Sequence, residues 1–416
     1  MAHTLEVVLR LTVSEEDFDV NRVEKRVKQA RDEAGRQLFV QVLEALDAEA
    51  LAAHAGAVRQ RRVARGLDTT LGHVVFRRWR VKAEGKTTCL LDRLLGLGRH
   101  GRASPTLQQR AGELASRMTY REAAQVLSEE TETPVSGQSV HAWVQALGRA
   151  VEERELQGPS PTPERHEVVV VEWDDTPLHS QEPDRQPVAV KLGIGYSQKQ
   201  RVGPQRWALT DKLVYGGVEE PALFAERFWV RMQGRFQVMQ AQHVLVKGDG
   251  AEWIHQGAEQ VFPGHVFQLD RWHLLDRIAQ FAGHLPRLWQ RLRQWVYQGR
   301  VAALIRSLRH LAGTDARSEQ ARQELLGYVT RHAEAITAVD RLRPQVSPAA
   351  RPLLTHGTGA MEKNIEVMVG RRFKRWGMRW TQHGAHALLK VRLWIYRHGS
   401  HWFEALNAHG PQLTNA

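Results

Sequence analysis

Residues 167–175 read Glu-Val-Val-Val-Val-Glu-Trp-Asp-Asp. Four consecutive valines are typical of a strand that is buried on both faces of a sheet. This strand and the two strand patterns after it, followed by a helix and then by alternating strands and helices, predict a mixed α/β sheet covered on both faces. The predicted strands are residues 167–173, 188–194, 207–214, 243–246 and 266–269, and the predicted helices are residues 221–236 and 251–261.

The chain is long enough for two or three domains and basic enough to favour a polyanionic partner. Its 416 residues are 42% hydrophobic, and single hydrophobic cores stop growing at about 250–300 residues. Lys and Arg number 58 against 46 Asp and Glu, which gives a net charge of +12. Arg, which binds phosphate through two parallel hydrogen bonds, supplies most of these cations. The positive charge is concentrated in residues 57–110, 271–310 and 361–397.

The cysteine content and the amino terminus favour a cytoplasmic, soluble protein. Cys89 is the single cysteine, which excludes a disulfide framework and a multi-cysteine zinc module. Residues 1–6 contain no basic segment leading into an apolar one, and no stretch approaches about 18 uninterrupted apolar residues. We therefore expect neither export nor membrane insertion.

Three segments are predicted from local patterns before the Val-rich strand. Apolar residues at helical spacing predict an amino-terminal helical arm over residues 1–66. Short β-prone runs predict a hairpin with a turn at Glu84-Gly85-Lys86, inside a basic segment over residues 67–115. Alternating prolines predict a linker over residues 156–163, where a domain boundary belongs.

Residues 116–150 have the pattern of a helix-turn-helix. Apolar residues at i, i+3, i+4 and i+7 place one face of the second helix inward, so that Gln138, Ser139, His141 and Gln145 face outward. The polar stretch between the helices is longer than the usual tight turn. An ordinary pair of helices therefore fits the pattern equally well.

Acidic residues follow two of the predicted strands. Asp174 and Asp175 end the Val-rich strand, and Asp249 ends a later strand within Lys247-Gly248-Asp249-Gly250. Residues just beyond strand ends converge in such a sheet, so these carboxylates are expected to lie within reach of one metal site. Carboxylates suit Mg²⁺ or Mn²⁺. Taken singly, each Asp is also typical of a helix N-cap or a turn.

A third carboxylate opens a helix far downstream. Residues 357–364 read Gly-Thr-Gly-Ala-Met-Glu-Lys-Asn, which places Glu362 in the first helical turn, and basic residues follow as far as Trp380. The alternative role of Glu362 is a favourable charge–dipole contact at a helix start. Glu366, one turn on, is the rival carboxylate.

Four blocks in order make the resemblance specific. They are Asp174 after a Val-rich strand, Gly248-Asp249-Gly250-Ala251-Glu252-Trp253-Ile254, Leu269-Asp270-Arg271-Trp272-His273, and Gly359-Ala360-Met361-Glu362 followed by Arg371 to Trp380. Together they resemble the DDE transposases of bacterial insertion sequences, of the ISLre and ISKra types with UPF-class relatives, related to the Mutator-like superfamily. The resemblance covers roughly residues 70–400.

The resemblance implies an RNase H-like catalytic core with a large all-α insertion. The helical, helix-turn-helix-like region predicted before it would bind DNA. Its core would occupy residues 164–282, its insertion residues 283–355, and its last helices, with the catalytic Glu, residues 356–416. The catalytic and metal-binding residues implied are Asp174, Asp249 and Glu362, with two Mg²⁺ or Mn²⁺ ions. Auxiliary positions are Asp270 and His273, and Asp175 is the alternative first ligand. His273 would orient a phosphate, or is a core histidine.

The implied activity is metal-dependent DNA cleavage and strand transfer at the ends of an insertion sequence. The implied partners are double-stranded DNA, at element ends and target, and further copies of the chain in a homodimer or higher oligomer, with no membrane. The protein would associate with the nucleoid when bound to DNA. The candidate DNA contacts are Arg77, Arg78, Arg80, Gln138, Ser139, His141, Arg371, Arg372, Lys374, Arg375 and Arg379.

Three other functions remain open from the sequence. They are a non-catalytic DNA-binding regulator, a domesticated transposase and an RNase H-like nuclease that hydrolyses without strand transfer. No two histidines lie two positions apart, which excludes the His-hydrophobic-His site of single-strand transposases. Tyr396, near Arg392 and Arg397, is only a faint candidate for a tyrosine recombinase nucleophile.

Overall fold

The structure is a computed structural model that describes residues 4–12, 19–83, 85–98, 101–156, 165–183, 186–204, 206–375 and 377–408. The chain divides into two units, one of Met1–Arg154 with Trp394–Ala416 and one of Glu155–Leu393. In the described parts of the chain, no helix is long and apolar enough to cross a lipid bilayer. Apart from Leu156, the linker predicted over 156–163 lies outside the described residues.

The elements are numbered in chain order. The strands are β1 (Val58–Thr69), β2 (Gly72–Ala83), β3 (Lys86–Thr88), β4 (Val168–Leu178), β5 (Val188–Tyr196), β6 (Lys199–Gly203), β7 (Arg206–Leu209), β8 (Lys212–Gly217), β9 (His243–Gly248) and β10 (Val266–Leu269). The α-helices are α1 (Val20–Ala52), α2 (Leu90–Leu94), α3 (Pro105–Ala115), α4 (Tyr120–Thr131), α5 (Gly137–Leu156), α6 (Pro221–Phe236), α7 (Glu252–Val261), α8 (Arg271–Ala282), α9 (Pro286–Tyr297), α10 (Val301–His310), α11 (Ala316–Arg331), α12 (Ala338–Leu342), α13 (Gly359–Ile365), α14 (Arg371–Phe373), α15 (Gln382–His398) and α16 (Trp402–Asn407).

The Val-rich strand β4 is the central strand of a five-stranded sheet with the order β10-β9-β4-β5-β8. It runs parallel to β9, which is parallel to β10, and antiparallel to β5, which is antiparallel to β8. One face carries Val169, Val171 and Trp173 against α6 and α7, and α13 contacts β4 and β5. The predicted mixed α/β class is therefore confirmed.

Two strands of this unit differ from the prediction. The strand expected over 207–214 is two strands, because β7 pairs with β6 in a separate ribbon whereas β8 belongs to the main sheet. The Val-rich strand does not end at Asp174. It continues to Leu178, because its antiparallel pairing with β5 extends that far, while its parallel pairing with β9 stops at Glu172.

Residues 283–355, all of which the structure describes, contain helices and turns and no strand, as predicted for the insertion. Their apolar faces form one core with α8, in which Leu274, Ile278, Leu292, Leu304 and Leu325 are buried. Amphipathic helices of this length need such a shared core, since isolated short helices are marginal in water.

The helix that begins at Gly359 is shorter than predicted. After α13 the chain forms a π-helical segment over Glu366–Gly370 and then α14, which ends at Phe373. Arg375 and Arg379 therefore do not lie on the helix of Glu362. The segment assigned to the core over 356–416 is also divided, because Trp394–Ala416 groups with the amino-terminal unit.

In the amino-terminal unit, the helical arm predicted over 1–66 was wrong for residues 58–66. Helix α1 ends at Ala52, and Gly56, with a φ of 96°, reverses the chain into β1. Strand β1 pairs antiparallel with β2 along nearly its whole length, so residues 58–66 belong to a hairpin rather than to the helix. The main hairpin turn lies between Thr69 and Gly72, and the predicted turn near Gly85 leads only to β3.

Two helices, α4 and α5, occupy the segment predicted to be helix-turn-helix-like. A capping box begins α4, in which Thr119 Oγ1 accepts from the Glu122 N–H and Glu122 Oε2 accepts from the Thr119 N–H. Gln145, predicted to face outward, is buried instead, because α5 is buried on all sides over residues 144–148.

Candidate functional site

Three aspartates follow the stretch over which β4, β9 and β10 are paired in parallel. Strands β4 and β9 pair in a constant register from Val168 with His243 to Glu172 with Lys247. Strands β9 and β10 pair in the same way, up to Gly248 with Leu269. Continuing both registers by one or two residues brings Asp174, Asp249 and Asp270 to the same level of the sheet. The observed pairing thus leads toward the edge of the sheet at which the sequence predicts carboxylates.

Asp174 is electrostatically coupled to Asp249. Burial of its carboxyl group, together with the negative charge of Asp249, raises the pKa of Asp174 to about 7. One carboxylate oxygen of Asp174 accepts the Asp175 N–H at 2.8 Å. Two neighbouring carboxylates disfavour each other's ionised form. A bound cation would remove this repulsion.

Asp175 belongs to the opposite face of the sheet. Successive side chains alternate along a strand, so Asp175 lies on the Trp173 side, where the Trp253 indole hydrogen-bonds its carboxylate. Burial raises the pKa of Asp175, and the positive charge of Lys191 opposes this rise. Of the two alternatives left open by the sequence, the geometry therefore favours Asp174 as the partner of Asp249.

Asp270 and His273 form a tight pair at the first turn of α8. The Asp270 carboxylate accepts the His273 backbone N–H at 3.2 Å and lies 2.6 Å from its Nδ1. Burial alone would raise the pKa of Asp270, but the hydrogen bonds from His273 and the Thr358 N–H outweigh it and lower that pKa. Burial opposes protonation of His273, yet Asp270 and the charges of Asp174 and Asp249 raise its pKa. The neighbouring carboxylates therefore favour the protonated form of the His273 imidazole.

Two buried carboxylates hold the start of α13, the helix that carries Glu362. Asp270 Oδ1 accepts the Thr358 N–H at 2.9 Å, and Glu172 Oε2 accepts the Met361 N–H at 3.1 Å. These contacts satisfy backbone donors that a helix start leaves unpaired. Glu362 itself is exposed, and desolvation together with the charge of Asp270 raises its pKa.

Glu362 rather than Glu366 belongs to this cluster. The charged neighbours that act on Glu362 are Asp270, His273 and Glu172. Glu366 lies on the following π-helical segment, where its carboxylate is 3.5 Å from Arg371. His273 is the neighbour that Asp174, Asp249 and Glu362 have in common.

A buried polar network beneath the site was missed from the sequence. Glu172 is 1% exposed and Lys247 fully buried. Glu172 Oε1 accepts the Tyr196 hydroxyl at 2.7 Å and lies 3.6 Å from Lys247 Nζ, which donates to Thr355 Oγ1 at 2.8 Å. Burial lowers the pKa of Lys247 to about 8. The sequence signal that could have revealed this network is a charged residue inside each of two apolar strands, Glu172 in β4 and Lys247 in β9.

The donor set fits divalent cations that prefer oxygen ligands. Asp174, Asp249 and Glu362 supply carboxylates, and the raised pKa of Asp174 reflects its burial together with the negative charge of Asp249. Five residues were compared: Asp174, Asp249, Glu362, Asp270 and His273. No three of them bring their metal-ligating atoms within 4.8 Å of one another. The arrangement is therefore not closed around one ion. A two-ion site, in which Asp249 and Glu362 serve different ions, does not require such closure.

Several basic and polar residues predicted to contact DNA are accessible. In the amino-terminal unit Arg77, Gln138 and His141 are exposed, and Arg80 and Ser139 are partly exposed. In the other unit, the exposed residues are Arg371, Lys374, Arg375 and Arg379, and Lys374 Nζ also donates to Thr176 Oγ1.

Two of the residues predicted to contact DNA, Arg372 and Arg78, have their guanidinium groups engaged by other residues of the protein. Arg372 is 1% exposed, and it lies over the Trp380 ring and donates to Met378 Sδ. Arg78 is paired with Asp92 at 2.8 Å in a side chain that is 11% exposed. Charge runs in a sequence do not distinguish such packed arginines from solvated ones.

Comparisons with known proteins connect the chain to one family. The model of an uncharacterised protein family, UPF0236, matches residues 13–407. A UPF0236 protein of Caldanaerobacter subterraneus subsp. tengcongensis is 22% identical over 391 residues, which are 90% of this chain and 78% of that protein. A second protein of the same strain, whose name joins eleven designations, is 22% identical over 393 residues, with the same coverage. A UPF0236 protein in the vanSb 3′ region of Streptococcus gallolyticus is 23% identical over 378 residues, 89% of this chain and 81% of that protein.

Proposed function

The chain belongs to the uncharacterised protein family UPF0236, and we propose that it is a DNA transposase of the DDE type. Its reaction would be metal-dependent strand cleavage and strand transfer at the ends of an insertion sequence. The observation that carries the proposal is the pairing of β4 with β9 and of β9 with β10, which, continued by one or two residues, leads to Asp174, Asp249 and Asp270. Glu362 lies on α13, whose first turn is hydrogen-bonded to Asp270 and Glu172.

The sheet topology supports an RNase H-like core. Three antiparallel strands, β4, β5 and β8, are extended by the parallel strands β9 and β10 on the side of β4. This arrangement is the one that the resemblance to DDE transposases leads us to expect. The all-helical segment over residues 283–355 lies between the second Asp and the Glu, as that resemblance also implies.

The names of two relatives support a mobile element. One relative from a single strain has a name that joins eleven designations, and another from that strain joins four. Repetition of one protein within one genome is expected of a gene that copies or moves itself. We extend this inference to the present chain as part of the proposal.

The residues of the site would act in an in-line displacement at phosphorus. Asp174, Asp249 and Glu362 would hold two Mg²⁺ or Mn²⁺ ions, which when bound would stabilise charge on the attacking and leaving oxygens. Asp270 orients the His273 ring through Nδ1, so that the Nε2 N–H of the imidazolium is available to a phosphate oxygen. Water would be the first nucleophile, and the freed 3′-OH the second.

Cleavage of a labelled DNA end tests the proposal. The DNA flanking the coding region provides the candidate element end, and the reaction is followed with Mg²⁺ or Mn²⁺. We expect nicking with a 3′-OH product and joined products with target DNA, both lost in Asp249→Asn. Asp276→Asn, the same substitution at an exposed position of α8, is the matched control and should retain activity.

Each alternative function predicts a different product. Nicking without joined products would indicate a hydrolytic nuclease of the same fold instead of a transposase. DNA binding with no cleavage in either metal would favour a regulator or domesticated protein. Retention of cleavage in folded Asp249→Asn would reject the assigned site.

A further inference from the structure

Helix α9 presents an alternating row of aromatic and basic side chains. Trp289, Arg293 and Tyr297 are spaced four residues apart and so lie along one face of the helix. The Arg293 guanidinium is 5.1 Å from the Trp289 ring centre and 5.4 Å from that of Tyr297. The cation is therefore held between two rings.

The row continues onto the first turn of α8. The Arg271 guanidinium lies 4.9 Å from the Tyr297 ring centre. The next residue, Trp272, is 56% exposed, and its ring meets the His273 ring edge-on at 4.9 Å. We call Trp289, Arg293, Tyr297, Arg271 and Trp272 the stacking row. One end of it lies beside the Asp270–His273 pair of the candidate site.

Exposure and charge indicate that the stacking row serves a ligand rather than the core. Tyr297 is 51% exposed, whereas the core of this region consists of Leu292, Val296 and their apolar neighbours on the adjacent, inward face of α9. Residues 277–314 contain no Asp or Glu. The cations of this segment are therefore not neutralised by carboxylates close in sequence, which favours a polyanion.

We propose that the stacking row binds an unpaired DNA strand next to the scissile phosphodiester, an inference that rests on the proposed function for the identity of that strand. Unpaired bases expose their flat faces, which stack on aromatic rings and on guanidinium planes, whereas the bases of a duplex are already stacked on each other. The arginines of the row contact both the bases and the phosphates. The row thereby holds a separated strand beside Asp270 and His273.

Fluorescence anisotropy of the full chain in EDTA tests this binding without cleavage. The probes are a labelled oligothymidylate, a duplex of matched length and an oligouridylate. We expect the double substitution Arg293→Ala, Tyr297→Ala to weaken oligothymidylate binding by about tenfold or more, and duplex binding by less than about threefold. Arg309→Ala, which removes an exposed cation from α10, is the matched control and should have a small effect on both.

Conservative variants separate stacking from charge. Tyr297→Phe retains the ring and should retain oligothymidylate binding, whereas Arg293→Lys retains the charge and should lose most of it. Equal losses for single strand and duplex, or an Arg293→Lys variant that binds like the wild type, would overturn the proposal. Tighter binding of oligouridylate would overturn the assignment to DNA. Because these measurements need no catalysis, failure of the proposed activity is scored separately through Asp249→Asn.

Discussion

The carboxylate of Glu172, in the middle of β4, accepts the backbone N–H of Met361 at 3.1 Å. Met361 is the residue before Glu362, so a buried acid of the central strand determines where α13 begins. The same carboxylate lies 3.6 Å from Lys247 Nζ of the neighbouring strand. The candidate site is thus supported by a charged pair that is itself completely buried.

Breaking this pair from one side should destabilise the protein strongly. Glu172→Gln leaves the buried Lys247 without its counter-charge, and removing one partner of a buried pair typically costs about 3–5 kcal/mol. The double variant Glu172→Gln, Lys247→Met should recover part of this loss, because it leaves no unpaired charge. Scanning calorimetry of the wild type, Glu172→Gln, Lys247→Met and the double variant measures the coupling between the two side chains. If the stability loss of the double variant equals the sum of the losses of the two single variants, the pairing is contradicted.

The two neighbouring aspartates of β4 should differ in their effect on catalysis. Asp174→Asn should reduce DNA cleavage by about 10³-fold, the equivalent of about 4 kcal/mol of lost transition-state stabilisation. Asp175→Asn should retain most of the activity, since that side chain lies with Trp253 on the other face of the sheet. Initial rates at saturating Mn²⁺ distinguish the two. A larger loss in Asp175→Asn would reverse the assignment.

Metal binding should be measurable as thermal stabilisation. At a hundredfold excess over the dissociation constant, a ligand stabilises the folded state by about 2.7 kcal/mol. Mn²⁺ should therefore raise the unfolding midpoint of the wild type. Asp174→Asn removes the repulsion between Asp174 and Asp249. It should be more stable than the wild type without metal at pH 8, and should respond less to Mn²⁺.

The metal experiment has an internal control. Asp276→Asn, on the surface of α8, should behave as the wild type in both conditions. An Asp174→Asn variant that is stabilised by Mn²⁺ as much as the wild type would exclude this carboxylate as a ligand.

His332 should make the protein sensitive to acid. Burial and the neighbouring His255, Arg331 and Arg277 lower the pKa of His332 to about 4, against 6.5 for the free side chain. Between pH 6.5 and 4, His332 is protonated in the unfolded chain but not in the folded chain. The free energy of unfolding therefore falls as the pH falls. His332→Phe keeps a ring against Tyr328, which the imidazole meets at 4.9 Å. It should lose less stability than the wild type between pH 7 and 5, as measured by differential scanning fluorimetry. Parallel pH profiles would contradict this role.

Much of the central sheet was predictable from the sequence, because buried parallel strands are continuous apolar runs with sharp boundaries. Helix α6 and strand β10 lie where their patterns predict them. The amino-terminal hairpin was assigned partly to a helix, since residues 58–66 alternate too irregularly to show a period of two. Pairing with β2, which local pattern does not reveal, makes them a strand.

For the candidate site, carboxylates after strands were recognisable, whereas the groups that hold them were not. Glu172 and Lys247 lie within apolar runs, and only their pairing across two strands explains them. Likewise, Arg372 belongs to a basic run, and its burial against Trp380 depends on the chain turning back after Phe373. Such contacts depend on long-range folding, which spacing along the chain does not encode.

The two ends of the helical segment between Asp270 and Thr358 lie next to each other in the fold. The Arg271 N–H donates to the His356 carbonyl at 2.9 Å, and the Thr358 N–H donates to the Asp270 carboxylate at 2.9 Å. Because hydrogen bonds join the two ends of this segment, whole helices can be inserted into it or deleted from it without displacing the residues on either side. This segment can therefore be exchanged as a module in evolution while the carboxylates beside it keep their places.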